Sequence, residues 1–457
     1  MKKTFLSALL LATALTTGGA KAETIFEALS TAYDTNPTLQ AQRAYLRSVD
    51  ENVAIAKSGF RPNIYLTGGY SDSDVHNNNV PSQTGGATLS AGAKISQPVF
   101  SGFTTVNSVK SADSMVRAEQ NNLYNTEQGV FLDSSTAYLD VVRDEAIVNL
   151  QKNNEKLLKK RLDETVERFN VGEVTRTDVS QAQARYSQAK ADRIASEGNL
   201  QASKAVYTRV IGEAPKDLSE PENLGDFIPA SFQEALEYTK ANNYSIRYAR
   251  ELLNSKVYDV AANTGALLPS VTLDGSATTS KSDSSGSAYG AYNRDTKVDE
   301  VQWGVNMNIP LYTAGATRAK IRQSKYQKWQ AQELVLEAER QAVSDVTSAW
   351  ELMTSNKAQI KSIKDQVKAN EIALDGVQKE EALGNRTILD VLDAYQELLN
   401  SNVNEVKARR DYYVAAMQLL LSMGKLTAED LRLNVDLYNP KKFYKETRDK
   451  WLSLSVD

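Results

Sequence analysis

Asp390 and Asp393 are the side chains best spaced to act together, since residues three apart on a helix share one face. A carboxylate pair can attract cations or handle protons, but such pairs are common in helical proteins and do not by themselves make an enzyme. The other ingredients of catalysis are missing. His76 is the single histidine, set among Asp, Asn and Ser, which excludes histidine-based triads and histidine-rich zinc sites. There is no cysteine, so thiolate nucleophiles, thiolate metal sites, disulfides and a lipidated N-terminal cysteine are excluded too. Gly86 to Gly92 looks like a phosphate loop, but five residues separate its glycines and Ala93 precedes Lys94, so the spacing fails. With 53 Lys+Arg against 57 Asp+Glu, the net charge of −4 gives no electrostatic case for nucleic acid. The chain is read as a non-enzyme with no catalytic residue, metal site or cofactor.

The N-terminus points to export. Lys2 and Lys3 make a basic start, Phe5 to Leu15 an apolar core, and Ala20-Lys21-Ala22 a small-x-small cleavage pattern, so residues 1–22 read as a secretory signal peptide. A membrane anchor is the competing reading, but Lys21 and Glu23 follow at once and no stop-transfer pattern appears. Beyond this point no run of about 18 uncharged apolar residues exists. A closed β-barrel or a surface helix is what remains for meeting a bilayer.

The elements that place the aspartates come in two copies. Glu27-Ala28-Leu29 recurs as Glu234-Ala235-Leu236, Asn36 as Asn243 and Pro62 as Pro269, all at an offset of 207. Pro98 matches Pro310, and Gly172, Thr175, Asp178 and Val179 match Gly384, Thr387, Asp390 and Val391, at an offset of 212. The five additional residues must fall between the prolines, where Ser71 to Gly86 and Ser276 to Asn293 are rich in Gly, Ser and Asn and read as surface loops. The chain divides into a first repeat 23–211 with a hairpin at about 63–97, a linker 212–230, a second repeat 231–423 with a hairpin at about 270–310, and a C-terminal segment 424–457.

Proline placement shows where helices run. None occurs between Pro98 and Pro215 or between Pro310 and Pro440, and an internal proline costs a helix about 3 kcal/mol. Phe103 to Phe169 and Ala316 to Glu381 are predicted as helices roughly 100 Å long at about 1.5 Å per residue. Each ends at a glycine turn, Asn170-Val171-Gly172 or Leu383-Gly384-Asn385, and returns as a shorter helix, about Thr177 to Ile211 and Thr387 to Met423. Such helices must pack along their length. Val346, Ala349, Met353, Asn356, Ile360, Ile363, Val367, Asn370, Leu374 and Val377 alternate steps of three and four, a coiled-coil seam. Its two asparagines either set register or line a conduit.

Four segments of about ten residues alternate with period two: around Ile64–Tyr70, Ala87–Ile95, Val271–Ala277 and Val301–Ile309. One face carries no charge, while Lys94 and Asp274 sit in the other register. A soluble sheet with one wet face would alternate similarly; the uncharged face and long hydrophilic turns favour a membrane barrel. Four strands cannot close a barrel, and lipid does not tolerate open edges. Three chains would supply 3 × 4 = 12 strands, enough for a hollow barrel, whereas two would supply eight, whose interior fills with side chains.

Signal peptide, helix, hairpin, long helix, glycine turn and returning helix, all repeated, resemble the TolC-like outer-membrane efflux proteins. Gln97-Pro98-Val99-Phe100-Ser101-Gly102 and Ile309-Pro310-Leu311-Tyr312 look like that family's strand-to-helix junctions, and Gly384 to Asp393 like its periplasmic helix-turn-helix. The resemblance implies an α+β membrane protein: a homotrimer sharing a 12-stranded outer-membrane β-barrel continuous with a long periplasmic α-helical coiled-coil barrel. An equatorial belt would form from Gly212–Ala230 and Gly424–Asp457. It also implies a duct through which an inner-membrane pump and a periplasmic adaptor send small toxic molecules or secreted proteins outward. Arg386 would join Thr177 and Asp178 of the neighbouring hairpin in a gate network. Asp390 and Asp393 would ring the constriction as six carboxylates with raised pKa values, selecting cations. Val171, Gly172 and Glu173, with Leu383, Gly384 and Asn385, are the adaptor-contact turns. Glu381 stands where the family pattern has a tyrosine, which puts it in the gate network as well.

A trimeric coiled-coil adhesin or autotransporter-like surface protein is the rival. It would collect its strands at one end of the chain, whereas these hairpins interrupt two equal helical halves.

Overall fold

The computed structural model describes residues 22–75, 84–221, 224–286 and 292–453. Residues 1–21 of the expected signal peptide, His76 and the hairpin tips lie outside the described residues. Two copies, matched in the lengths of their helices, follow one another. The first runs α1 (Ile25–Thr35), α2 (Pro37–Ser58), β1 (Asn63–Val75), β2 (Thr84–Ser101), α3 (Thr104–Asn170) and α4 (Arg176–Ile211). The second runs α5 (Phe232–Asn242), α6 (Tyr244–Gly265), β3 (Ser270–Gly286), β4 (Tyr292–Asn308), α7 (Ala316–Ala382) and α8 (Ile388–Met423), followed by α9 (Pro440–Thr447). In each copy the helices have 11, 22, 67 and 36 residues.

The same cap chemistry bounds corresponding helices. Thr24 and Ser231 cap α1 and α5, and Asn36 and Asn243 cap α2 and α6. The amide of Asn36 also donates to the Val210 carbonyl at 2.8 Å, and that of Asn243 to Ser422 at 2.8 Å, so one side chain both starts a helix and ties it to the end of the returning one. Gly212 and Gly424 end α4 and α8 in the left-handed region, at φ 98° and 80°. Among the described residues no helix is long and apolar enough to cross a membrane.

The four strands form one antiparallel sheet in the order β1-β2-β3-β4, with β1 and β4 at its edges. They span 13, 18, 17 and 17 residues, longer than the ten expected. The correction lies in the Ser/Gly-rich stretches read as loops: Ser280 pairs with Val298 and Lys281 with Lys297, because ladder bonds use the backbone and do not require apolar side chains. β2 also continues through Pro98 to Ser101, with a register shift between Pro98 and Phe100 that accommodates the missing N–H. Ile64, Leu66 and Tyr70, with Leu89 and Ile95 across from them, lie on one exposed face, joined by Leu273, Val301, Trp303, Val305 and Met307. Lys94 and Asp274 occupy the opposite face, where Asp274 accepts bonds from Ser96, Thr272 and Asn306.

Below the sheet α3 packs on α4 and α8, and α8 on α7, giving the side-by-side order α4, α3, α8, α7. Along α7, Val346, Ala349, Met353, Ile363 and Leu374 are buried, and the other seam positions are half-buried. Asn370 donates to the Glu397 carbonyl on α8 at 3.3 Å. The main core lies midway, where α1, the middle of α3, the ends of α4 and α8 and the C-terminal segment meet around Phe131, Tyr138, Tyr207 and Met417.

Candidate functional site

The two helical turns sit side by side at the end of the bundle furthest from the sheet. Gly172 and Gly384 adopt φ 83° and 80°, which lets the chain reverse without the cost a side chain would pay there. The reversals are superimposable in their bonding: Glu173 N–H donates to Arg168 C=O and Asn385 N–H to Glu380 C=O, both at 2.9 Å. Three residues past each glycine, Thr175 and Thr387 start α4 and α8 with reciprocal capping boxes. Asp178 accepts from Thr175 N–H at 2.8 Å, and Asp390 from Thr387 N–H at 2.9 Å. Val171 is 73% exposed and Leu383 77%, so each turn offers an unburied apolar side chain at the same position of the repeat.

The expected gate residues divide into separate pairs within one chain. Arg386 donates to Glu380 at 2.9 Å, Asp178 is held by its own cap, and Thr177 is exposed. Nearest the turns, Arg168 at the end of α3 joins the two hairpins by donating to Glu381 at 2.6 Å, and it also donates to Glu173 of its own hairpin at 3.1 Å. The Glu381 side chain is largely covered, and its bond is the main cause of a raised Arg168 pKa. Glu381 therefore receives a charge-assisted bond across the hairpins. The sequence held a signal for this: at the 212 offset Arg168 aligns with Glu380 and Phe169 with Glu381, so the copies differ in charge just where they meet.

Asp390 and Asp393 share a face of α8 but have different partners. Asp393 accepts from Arg185 of α4 at 2.5 Å. The Thr387 backbone N–H, then its hydroxyl and then Arg386, hold Asp390 below the usual carboxylate range. Within one chain, capping thus works against the rise expected from like charges around an axis. Behind these residues Arg161 of α3 donates to the Tyr395 hydroxyl of α8 at 3.3 Å, and Leu158, Ala189 and Leu392 close a small apolar cluster. The end of the bundle thus carries paired charges over a small apolar cluster. Among the described residues no group of acids and histidine could hold a metal.

With this geometry in place, comparison with known proteins is informative. The model of the family described as outer membrane efflux protein matches residues 28–213 and 235–425, one span for each copy of the repeat. The outer membrane efflux protein BepC of Brucella suis is 37% identical over 450 residues, covering 98% of this chain and 95% of that protein. Outer membrane protein TolC of Vibrio cholerae is 28% identical over 427 residues, covering 92% and 95%. The crystal structure of the Campylobacter jejuni CmeC outer membrane channel has the same fold, with a TM-score of 0.78 at 15% identity over 93% of this chain and 89% of that one.

Proposed function

This chain belongs to the outer membrane efflux protein family and is an outer-membrane exit channel, and from that premise we propose that three copies close it into a continuous duct. The supporting observation is a pair of open edges. The sheet ends at β1 and β4, and the helical layer ends at α4 and α7. A strand edge inside lipid must be paired, and β4 of one chain against β1 of the next continues the antiparallel alternation. The same rotation sets α7 beside the next chain's α4. Three copies then give 3 × 4 = 12 strands and as many tunnel helices. The face carrying Leu66, Val301 and Trp303 turns to lipid, and Lys94 and Asp274 turn to the lumen. Protein extracted in mild detergent is expected to have three times the protomer mass by light scattering. A stable monomer recovered from the outer membrane overturns the closure.

At the other end the paired charges hold the helical tips inward as a periplasmic gate, with Arg168–Glu381 bridging hairpins inside a chain. Arg386, Thr177 and Asp178 act between chains, and Asp390 with Asp393 form the cation-selective ring. Exposed Val171 and Leu383, flanked by Gly172, Glu173, Gly384 and Asn385, meet the periplasmic adaptor. Cargo, whether small toxic molecules or secreted proteins, is delivered by the inner-membrane pump, and the duct conducts it passively. Replacing Arg386 by Ser together with Glu381 by Gln is expected to leave assembly intact and raise resting conductance in planar bilayers several-fold, since coupled contacts bias one opening equilibrium. Parental conductance in that variant would remove these residues from the gate.

A further inference from the structure

The C-terminal segment climbs toward the sheet. The chain from Tyr438 through α9 runs along α2 in the same direction: Tyr438 lies under Arg43 at 5.2 Å, and Phe443 under Arg47 at 5.6 Å. Further up, Lys57 pairs with Asp449 at 2.5 Å, and Arg61 donates to the Lys450 carbonyl at 2.9 Å. From Arg47 to Ser58, the last residue of α2, this track gains about 17 Å. It delivers Trp451 onto the Arg61 guanidinium at 4.7 Å, two residues before β1 begins. There, at the position of Arg61, Trp451 remains 66% exposed and Leu452 94% exposed, three residues of chain short of Ile64, an exposed apolar residue of β1.

The repeat shows what this position is for. The 207 offset aligns Phe60 and Arg61 with Leu267 and Leu268. The second copy therefore presents two exposed leucines at the base of its hairpin, where the first presents an exposed Phe60 and a charged Arg61. Trp451 stacks on that charge, and with Leu452 next to it in the chain it presents an apolar surface at the base of the sheet. The approach is basic: Lys441, Lys442, Lys445, Arg448 and Lys450 stand against Glu446 and Asp449. An indole and a leucine beside lysines and arginines match a phospholipid headgroup layer, where amphipathic rings and cations both settle.

We propose that Trp451 and Leu452 are an interfacial anchor seated in the phospholipid headgroups on the periplasmic side of the outer membrane. This rests on the barrel reading above. Three full-length proteins, each keeping one tryptophan and replacing the other three by Phe, are reconstituted as trimers. The vesicles contain phosphatidylethanolamine and phosphatidylglycerol brominated near the headgroup. The protein keeping Trp303 reports lipid contact, the one keeping Trp350 reports the periplasmic helices, and the one keeping Trp451 is the test. Emission from Trp451 is expected to be quenched about as strongly as that from Trp303, each relative to the same protein in vesicles of unbrominated lipid. If Trp303 is quenched while Trp451 is quenched no more than Trp350, the segment faces water or another protein and the anchor is overturned. Absence of quenching at Trp303 as well would overturn the barrel reading and the anchor with it.

Discussion

The chain carries an arginine and a glutamate at the same two repeat positions twice, and only the second copy joins them as an ion pair. In the second copy, Arg250 and Glu339 meet at 2.8 Å on an exposed surface between α6 and α7. Their counterparts at the same offsets, Arg43 and Glu127, lie beneath the C-terminal segment. There Arg43 stacks on Tyr33 at 4.3 Å and on Tyr438 at 5.2 Å. Glu127 is buried and accepts the Ala428 N–H at 2.7 Å. Burial pushes the Glu127 carboxyl up to about 7, against the opposing pull of the Ala428 N–H and Arg43, while Asp430 and Glu429 add to the rise. Identical residues in matched helices thus differ because a single unrepeated segment covers one copy only. Where nothing unrepeated intervenes, at the capping boxes of the helical tips, the copies keep the same bonding.

The sharpest division is expected at the sheet, where lipid should treat both copies alike. Ala93 on β2 and Val301 on β4 lie on the exposed face that is apolar toward the helices and carries Asp72, Lys281, Lys297 and Asp299 toward the hairpin tips; they come one from each copy and differ in bulk. Arginine at either should cost about 2–4 kcal/mol near the bilayer midplane. Both variants should lose heat-modifiable trimer from the outer membrane, while Gln302→Arg on the opposite face should retain it. Unequal losses at Ala93 and Val301 would mean that the copies do not share one lipid-facing band.

The covered pair should then separate the copies. A carboxyl with a higher pKa in the folded protein than in the unfolded chain stabilises fully below its unfolded value. That contribution is lost as pH rises through the folded value, so here stability falls between the ordinary 4.5 and about 7. At most about 3 kcal/mol is involved, at 1.36 kcal/mol per pKa unit. Glu127→Gln keeps an acceptor for Ala428 and should flatten the pH dependence of the trimer's thermal midpoint, raising it at alkaline pH. Glu339→Gln should change stability by only about 0–1 kcal/mol, as for other exposed pairs. Equal pH profiles for the two variants would break the distinction.

Smallest and most nearly equal should be the caps. Thr175→Ala and Thr387→Ala each remove one side of a capping box, worth about 1 kcal/mol. Hydrogen exchange of the first turn of α4 and of α8 should accelerate to a similar degree. A much larger effect at Thr387 would show that the second hairpin bears more of the closed arrangement than the first.

Much of this architecture was legible because it is written in local, periodic terms. Proline-free stretches marked α3 and α7, glycines at 172 and 384 marked their ends, and steps of three and four from Val346 to Val377 traced the face that α7 turns to α8. Strand lengths were less legible, because composition signals loops at Ser276 to Gly286 while pairing is decided by backbone bonds to β4. The turns were placed correctly, but the Arg168–Glu381 bridge depends on how two hairpins cross, which no local spacing records. The same holds for the C-terminal wrap: Tyr438 N–H donating to the Tyr33 hydroxyl at 2.9 Å joins residues from opposite ends of the chain.

The matched lengths of 11, 22, 67 and 36 residues also bear on how this gene can change. One codon inserted midway along α3 would turn everything beyond it by about 100° and advance it by about 1.5 Å. The seam would leave its partner, and the two tips would no longer end level. Strand hairpins carry no such constraint at their outer ends, and the single change of offset, from 207 to 212, falls between Pro62 and Pro98. Insertions and deletions inherited by descendants of this chain should therefore collect at the outer ends of the hairpins, while the length of every paired helix is handed down unchanged.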